Sequence, residues 1–224
     1  MAYTTIDNPA EHFVTTIWTG DGGDRTITGL EFKPDLIWSK TRNKTYNHMI
    51  SDSSRGFNAN SEIGSHSYAI EGAFSAETYG YKSGHTSDGW TMVDGTDTND
   101  DQEDGNTNEP SVTYVAWSWK ANGGTRTTNT ESGNNPAGGY QANTTAGFSI
   151  VDYTGTGGAG TMAHGLGAVP KVIIVKNRTA ATDWAVYHAS NTAAPETDYL
   201  VLNENSATAD SSDFWNDTAP TSTV

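Results

Sequence analysis

At 224 residues, 34% of them hydrophobic and 10% aromatic, the chain can fill one large or two small packed domains, which excludes wholesale disorder. A formal net charge of −15 with only 12 Lys and Arg excludes the phosphate neutralisation that nucleic-acid binding needs and disfavours anionic membranes; its plainest role is solubility. With no Cys there is neither a disulfide framework nor a thiolate metal site.

The beginning, "MAYTTIDNPAEHF", has no basic n-region and no apolar h-region, and the longest aliphatic run, Val172 to Val175, is too short to span a bilayer. The chain is therefore expected to be made and kept in the cytosol unless something else carries it out. Gly, Thr, Asn, Ser and Asp dominate, residues that build amphipathic helices are scarce, and no window repeats apolar residues at helical spacing. Short β-branched or aromatic runs bounded by Gly, Asn and Asp recur instead, which predicts an all-β fold.

After an N-terminal arm, residues 1–12, the spacing predicts a strand from Phe13 to Trp18, a Gly-rich turn, a Pro-started strand from Leu36 to Lys40 and a third strand in "YNHMISDS". The same order returns later. Phe13, Thr19, Gly20, Gly22 and Gly23 recur as Phe148, Thr154, Gly155, Gly157 and Gly158 at one constant offset. After a one-residue insertion, Gly29, Leu30, Pro34, Ile37, Lys40 and Arg42 recur as Gly165, Leu166, Pro170, Ile173, Lys176 and Arg178. The second copy thus predicts strands from Phe148 to Tyr153, from Val172 to Lys176 and in "DWAVYHAS". This pattern reads as a β-meander unit used twice.

A variable stretch, Arg55 to Ser87, leads in the first copy to two further strands, "GWTMVDG" and "SVTYVAWSWK". In the latter Val115, Trp117 and Trp119 share one face, which is expected to be the buried sandwich core, so that Trp117→Ala would cost about 3–5 kcal/mol. Residues 125–146 carry almost no apolar side chains and read as a Gly/Asn/Thr-rich linker. The expected organisation is tandem antiparallel β-sandwiches, residues 13–124 and 147–224, with a single larger sandwich as the alternative. Mapped through the offset, the second copy falls about 36 residues short of the first and lacks its final two strands. The expectation is that the natural chain continues past Val224, or that a neighbour's strand completes the unit.

The strings "MAYTTIDNPAEHFVTTIWTGDG", "KPDLIWSKTR", "SDGWTM", "YVAWSWKANGG", "NTTAGFSIVDYTGTG", "HGLGAVPKVIIVKNR" and "WNDTAPTSTV" resemble a family of virion proteins from tailed bacteriophages, especially those of marine and cyanobacterial hosts. The resemblance covers nearly the whole chain. It implies a concanavalin A-like, lectin-type sandwich in a tail fibre or other virion surface protein, synthesised in the infected bacterium and released by lysis. Other virion tail or capsid proteins would be partners, and host-surface glycan a ligand. The alternatives are an architectural capsid or tail decoration protein without a ligand and, ranked last, a glycan-degrading enzyme. Single sandwiches with exposed edges also predict a homo-oligomer, with a trimer favoured.

Catalysis is not expected. Laminarinase-type glucanases carry E-x-D-x-x-E on one strand, whereas "ETDYLV" offers Glu196 and Asp198 but Val201 where the second Glu should stand. No H-E-x-x-H, G-x-S-x-G or phosphate-cradling loop is present. In "DGTDTNDDQEDGNTNEP", Asp100, Gln102, Asp104 and Gly105 mimic part of a calcium loop, but Ser111 stands at the bidentate position. Calcium at Asp100 and Asp104 is therefore a weak candidate beside the plainer reading of a solvated hairpin tip. His66 and His85 in the variable stretch could be metal ligands but read more simply as polar loop surface, and His164 has no His partner at a metal-like spacing. For carbohydrate the candidates are Tyr79, Tyr81 and His85, aromatic rings beside a strand in "SAETYGYKSGHTSDGW", weighed against core or subunit packing. The paired Lys40 and Arg42, and Lys176 and Arg178, are expected to meet neighbouring carboxylates.

Overall fold

The computed structural model describes residues 6–96 and 108–224. Its first half holds β1 (Phe13–Thr19), β2 (Arg25–Ile27), β3 (Leu36–Thr41), β4 (Met49–Asp52) and β5 (Ile63–Gly64). One helical turn, α1 (Ala76–Tyr79), then precedes β6 (Tyr81–Thr86), β7 (Gly89–Val93) and β8 (Thr113–Trp119). Two antiparallel sheets result, ordered β1-β8-β3-β4-β5 and β2-β7-β6. Trp18, Ile37, Tyr114 and Ala116 of the first meet Ile27, Trp90 and Met92 of the second in one buried cluster. Trp18 stacks on Tyr114 at 5.0 Å and meets Trp90 edge-on at 6.0 Å. The protein is all-β, and this half is an antiparallel sandwich whose core is filled by alternate residues of both sheets.

The second half contains β9 (Thr127–Asn129), β10 (Gly138–Asn143), β11 (Phe148–Tyr153), β12 (Val172–Val175), β13 (Ala185–His188), β14 (Asp198–Val201) and β15 (Ala209–Asp210), followed by one helical turn, α2 (Ser212–Trp215). Its sheets are β11-β10-β9 and β12-β13-β14-β15. They dock on the outer face of the five-stranded sheet. Phe148 stacks on Trp119 at 5.9 Å, and the buried Trp184 joins Ile50 and Ile63 with Leu36, Trp38 and Leu202 against them. Trp184 Nε1 donates to the Gly64 carbonyl at 3.0 Å and the Ser67 carbonyl at 3.1 Å, which satisfies the indole as it is buried.

Four expectations are corrected. The repeated strands exist, but they are no meander: β8 inserts between β1 and β3, and β11 pairs with β10 rather than β12. Residues 125–146 are not a linker, because β9 and β10 lie within them and pair in register with each other, and β10 pairs with β11. Strand β10 buries polar groups rather than apolar ones. Gln141 is almost fully buried, donating to Ser53 Oγ at 3.0 Å and Ser54 Oγ at 2.7 Å, and Asn143 donates to His12 Nδ1 at 2.9 Å. Its Gly138 admits the neighbouring backbone, since a Cβ there would stand 2.1 Å from the Asp152 carbonyl oxygen. The strands on either side of the acidic stretch, β7 and β8, do not pair either, since they belong to different sheets. The described part of the N-terminal arm is held by both halves, through Asn8 to Glu31 and His12 to Asn143.

The fourth correction concerns the Trp face. Along β8 the buried residues are Tyr114, Ala116 and Ser118, while Val115, Trp117 and Trp119 are half-buried. The tryptophans face the seam between the halves, where Trp117 meets Trp38 edge-on at 6.2 Å and Trp119 lies against Phe13 at 4.9 Å. A side chain that keeps part of its surface wet returns less transfer energy on folding, so Trp117→Ala is expected to cost about 1–2 kcal/mol rather than the value for a core indole. Urea denaturation of the variant checks this; a loss as large as that of Trp90→Ala, whose indole is fully buried, would contradict it.

Candidate functional site

Strand alternation in β3 sends Ile37 into the sandwich and Trp38 to the opposite face. There the Trp38 indole stands edge-on to His48, 6.2 Å between ring centres, just before β4 begins. The segment after β5 adds Ser65 and His66, whose Nδ1 lies 3.3 Å from the His48 carbonyl oxygen. Gly64 is required by this packing, because a Cβ would fall 2.5 Å from His66 Cε1 and 2.6 Å from Phe74 Cζ. The opposite wall comes from the second half, where the chain leaving β14 supplies Leu202, Asn203, Glu204 and Asn205. Between the walls lies an open cleft of about 760 Å³.

The second wall is fixed from behind. Asn203 accepts from Trp184 N at 2.9 Å and donates to Asp183 Oδ1 at 2.8 Å, and Glu204 accepts from Ser206 Oγ at 3.0 Å. On the first wall Trp38 Nε1 and His48 Nδ1 are buried with no hydrogen-bond partner among the described residues. Burial, and then the charges of Lys40 and His66, hold His48 below the ordinary histidine value, so it is neutral near pH 7. The cleft thus offers an indole flank, neutral imidazole, side-chain amides and a single carboxylate, Glu204. That set can stack on and hydrogen-bond a polyhydroxylated ligand. Among the described residues no group of three or more His, Asp or Glu could hold a metal ion.

The family model described as "Domain of unknown function (DUF7483)" matches residues 8–224. The chain belongs to this family. No curated protein and no solved structure matches it. Among the described residues of this DUF7483 chain, no helix is long and apolar enough to cross a membrane.

The residues singled out in the sequence of this DUF7483 chain lie elsewhere. Tyr79 ends α1, while Tyr81 and His85 stand in β6 on either side of a bulge between Lys82 and Gly84. Tyr81 pairs with the half-buried Val93, whereas His85 pairs with the fully buried Trp90, so the bulge turns the two rings to opposite faces. His85 packs on Phe57 at 5.0 Å and donates from Nδ1 to the Pro34 carbonyl at 2.7 Å. The three do not form one platform. Asp100 and Asp104 lie outside the described residues. His164 has both ring nitrogens engaged, Nε2 with the Thr221 carbonyl at 3.2 Å and Nδ1 with Leu166 N at 3.1 Å. Among the described residues Lys40 and Lys176 do not reach carboxylates: Lys40 Nζ donates to the Thr41 and Lys44 carbonyls and Lys176 Nζ to those of Tyr68 and Asn177. Arg178 does find one, Glu71, at 2.6 Å. Of the cleft residues the sequence flagged His66 alone; Trp38, His48, Glu204 and Asn205 come from separate segments with no local pattern to join them.

His85, like His48, is held below the ordinary value, by burial first and by Lys33 in addition, against the opposing pull of the Pro34 carbonyl and Asp35. In the unfolded chain both imidazoles take up protons as the pH falls through about 6.5, while in the folded chain they resist. The unfolded state then binds more protons, so this stability is fully present above about pH 6.5 and is lost as the pH falls below it. Thermal midpoints are expected to fall between pH 7.5 and 5, and to fall less in His48→Gln/His85→Gln. An unchanged slope in the double variant would rule these groups out as its source.

Proposed function

We propose that this chain is a structural protein of a tailed-bacteriophage particle, a tail fibre or tail appendage component, that attaches to the host surface by holding a glycan in the cleft between its two halves. The observation that carries the glycan part is the chemistry of that cleft, with Trp38 as stacking surface and His48, His66, Asn203, Glu204 and Asn205 around it. The phage setting rests on the resemblance of the quoted strings along nearly the whole chain, with an all-β build in keeping. Such a protein works as a homo-oligomer, a trimer for preference, among other tail or capsid proteins. Exposed Ile17 and Tyr68 are surface suited to such contacts.

A glycan array and a whole-host adsorption assay with the full chain test the reading. Binding is expected, and Glu204→Gln/Asn205→Ala, both on an exposed loop, should abolish it while leaving the thermal midpoint unchanged. A blank array together with no adsorption would favour the architectural reading, in which the chain decorates capsid or tail without a ligand. Adsorption that survives the double variant would move the glycan site out of the cleft.

A further inference from the structure

We propose that the second half is a strand acceptor: an extended segment of a partner polypeptide seats between β11 and β12 as β8 seats between β1 and β3. In the first half β8 runs antiparallel to both neighbours, with Trp119 opposite Phe13 on one side and Leu36 on the other. Hydrogen bonds from Gly20 N to the Val112 carbonyl and from Lys120 N to the His12 carbonyl bracket the β1–β8 ladder. By the alternation of an antiparallel pair, Val14, Thr16 and Trp18 therefore turn their backbone groups towards β8. Arg42 N bonds the Thr113 carbonyl, which in the same way turns Leu36, Trp38 and Lys40 of β3 towards β8.

The repeat places Ser149, Val151 and Tyr153 where Val14, Thr16 and Trp18 stand, and Val172 and Ile174 where Leu36 and Trp38 stand. Thr154 N bonds the Ala137 carbonyl, so Phe148, Ile150 and Asp152 face β10, and Ser149, Val151 and Tyr153 face away from it. Strand β10 thus occupies the edge that β1 leaves free, and leaves open the edge that β1 gives to β8. Ala189 N bonds the Lys171 carbonyl, so Ile173 and Val175 face β13 while Val172 and Ile174 face away. Among the described residues no strand pairs with either of these edges. The side chains show the same deficit. Tyr153 is 50% exposed where Trp18 is 9%, and Val172 and Ile174 are 49% and 44% exposed. Open edges bearing exposed apolar side chains are sites of strand addition.

One substitution in the repeat states the chemistry of the occupant. The first half has the buried Asp35 beside the exit of β8, where it receives the turn that follows; the second half has an exposed Lys171 at that position. A carboxylate at the occupant's exit end complements that lysine, and a basic residue there is repelled. The occupant is therefore an extended segment of about seven residues, apolar and β-branched or aromatic at alternate positions, that ends in Asp or Glu.

Two peptides test this with the full chain: residues 111–119 followed by glutamate, and the same peptide followed by lysine. Hydrogen exchange read by mass spectrometry and NMR is expected to show new protection at Ser149, Val151, Tyr153, Val172 and Ile174, with β1 and β3 unchanged. The glutamate peptide should bind about tenfold tighter, and Lys171→Glu should reverse that order. Failure of both peptides to protect these amides, or protection confined to β1 and β3, would overturn the proposal. So would protection already present in the chain alone and lost on dilution, which would make a second copy the occupant. None of these outcomes depends on the glycan reading.

Discussion

Asp35→Ala is expected to destabilise the first half by about 3–5 kcal/mol, as much as emptying a core position. The Asp35 carboxylate has no solvent exposure and accepts four hydrogen bonds: from Ala121 N at 2.7 Å, Gly123 N at 2.8 Å, Gly124 N at 2.6 Å and Ser53 Oγ at 2.7 Å. Its own backbone donates to the Trp119 carbonyl and accepts from Ser53 N, so three chain segments converge on one residue. Gly123 and Gly124 both have positive φ, +63° and +86°, which lets their N–H groups point inward together at the anion. Alanine leaves those donors without an acceptor, at about 1–3 kcal/mol for each that stays dry. Asp35→Asn keeps one acceptor oxygen but turns an NH₂ towards other donors, so it should recover only part of the loss. Urea denaturation followed by Trp fluorescence reads both variants. A midpoint shift worth less than about 1 kcal/mol for alanine would mean that the turn finds other partners.

The strands of both copies were legible because a repeat fixes boundaries without any knowledge of pairing: Phe13, Leu36, Phe148 and Val172 each begin one. Which strands would pair was not legible. The insertion of β8 between β1 and β3 joins residues that stand far apart in the chain, and nothing local encodes it. Alternation correctly separated Trp117 from Ala116, but period two cannot say which face of a sheet is the core when both faces are covered. The hydrophobic pattern failed at β10 because Gln141 and Asn143 are buried through hydrogen bonds, and polar burial leaves no apolar signature. At the proposed sugar platform a single bulge residue moved His85 to the face opposite Tyr81. The cleft was invisible for a further reason: its two walls come from different copies of the repeat, and only the docking of the halves brings Trp38 and Glu204 to one cavity.

A buried cation stands behind one contact of that docking. Arg55, its side chain 7% exposed, donates from Nε to Asp52 Oδ2 at 2.5 Å and from Nη1 to Glu71 Oε1 at 2.9 Å, and it also reaches the Ser61 and Ile50 carbonyls. The second oxygen of Glu71 takes Arg178 of the other half at 2.6 Å, and Glu71 N donates to the Arg178 carbonyl at 3.0 Å. Arg55→Met is expected to cost about 3–5 kcal/mol, because it preserves much of the volume while leaving the buried Asp52 without its cation and Glu71 with the exposed Arg178 alone. Arg55→Lys should restore little, since one ammonium cannot span Asp52, Glu71 and two carbonyls as the guanidinium fork does. Arg178→Met removes the exposed member of the network, 45% accessible at its side chain, and should cost at most about 1 kcal/mol. A double-mutant cycle of Arg55→Met with Glu71→Gln isolates the buried pair that positions Glu71 for Arg178 of the other half, with a coupling of about 1–3 kcal/mol expected. Additive losses in that cycle would show that Arg55 acts through Asp52 alone and that Glu71 meets Arg178 without its help.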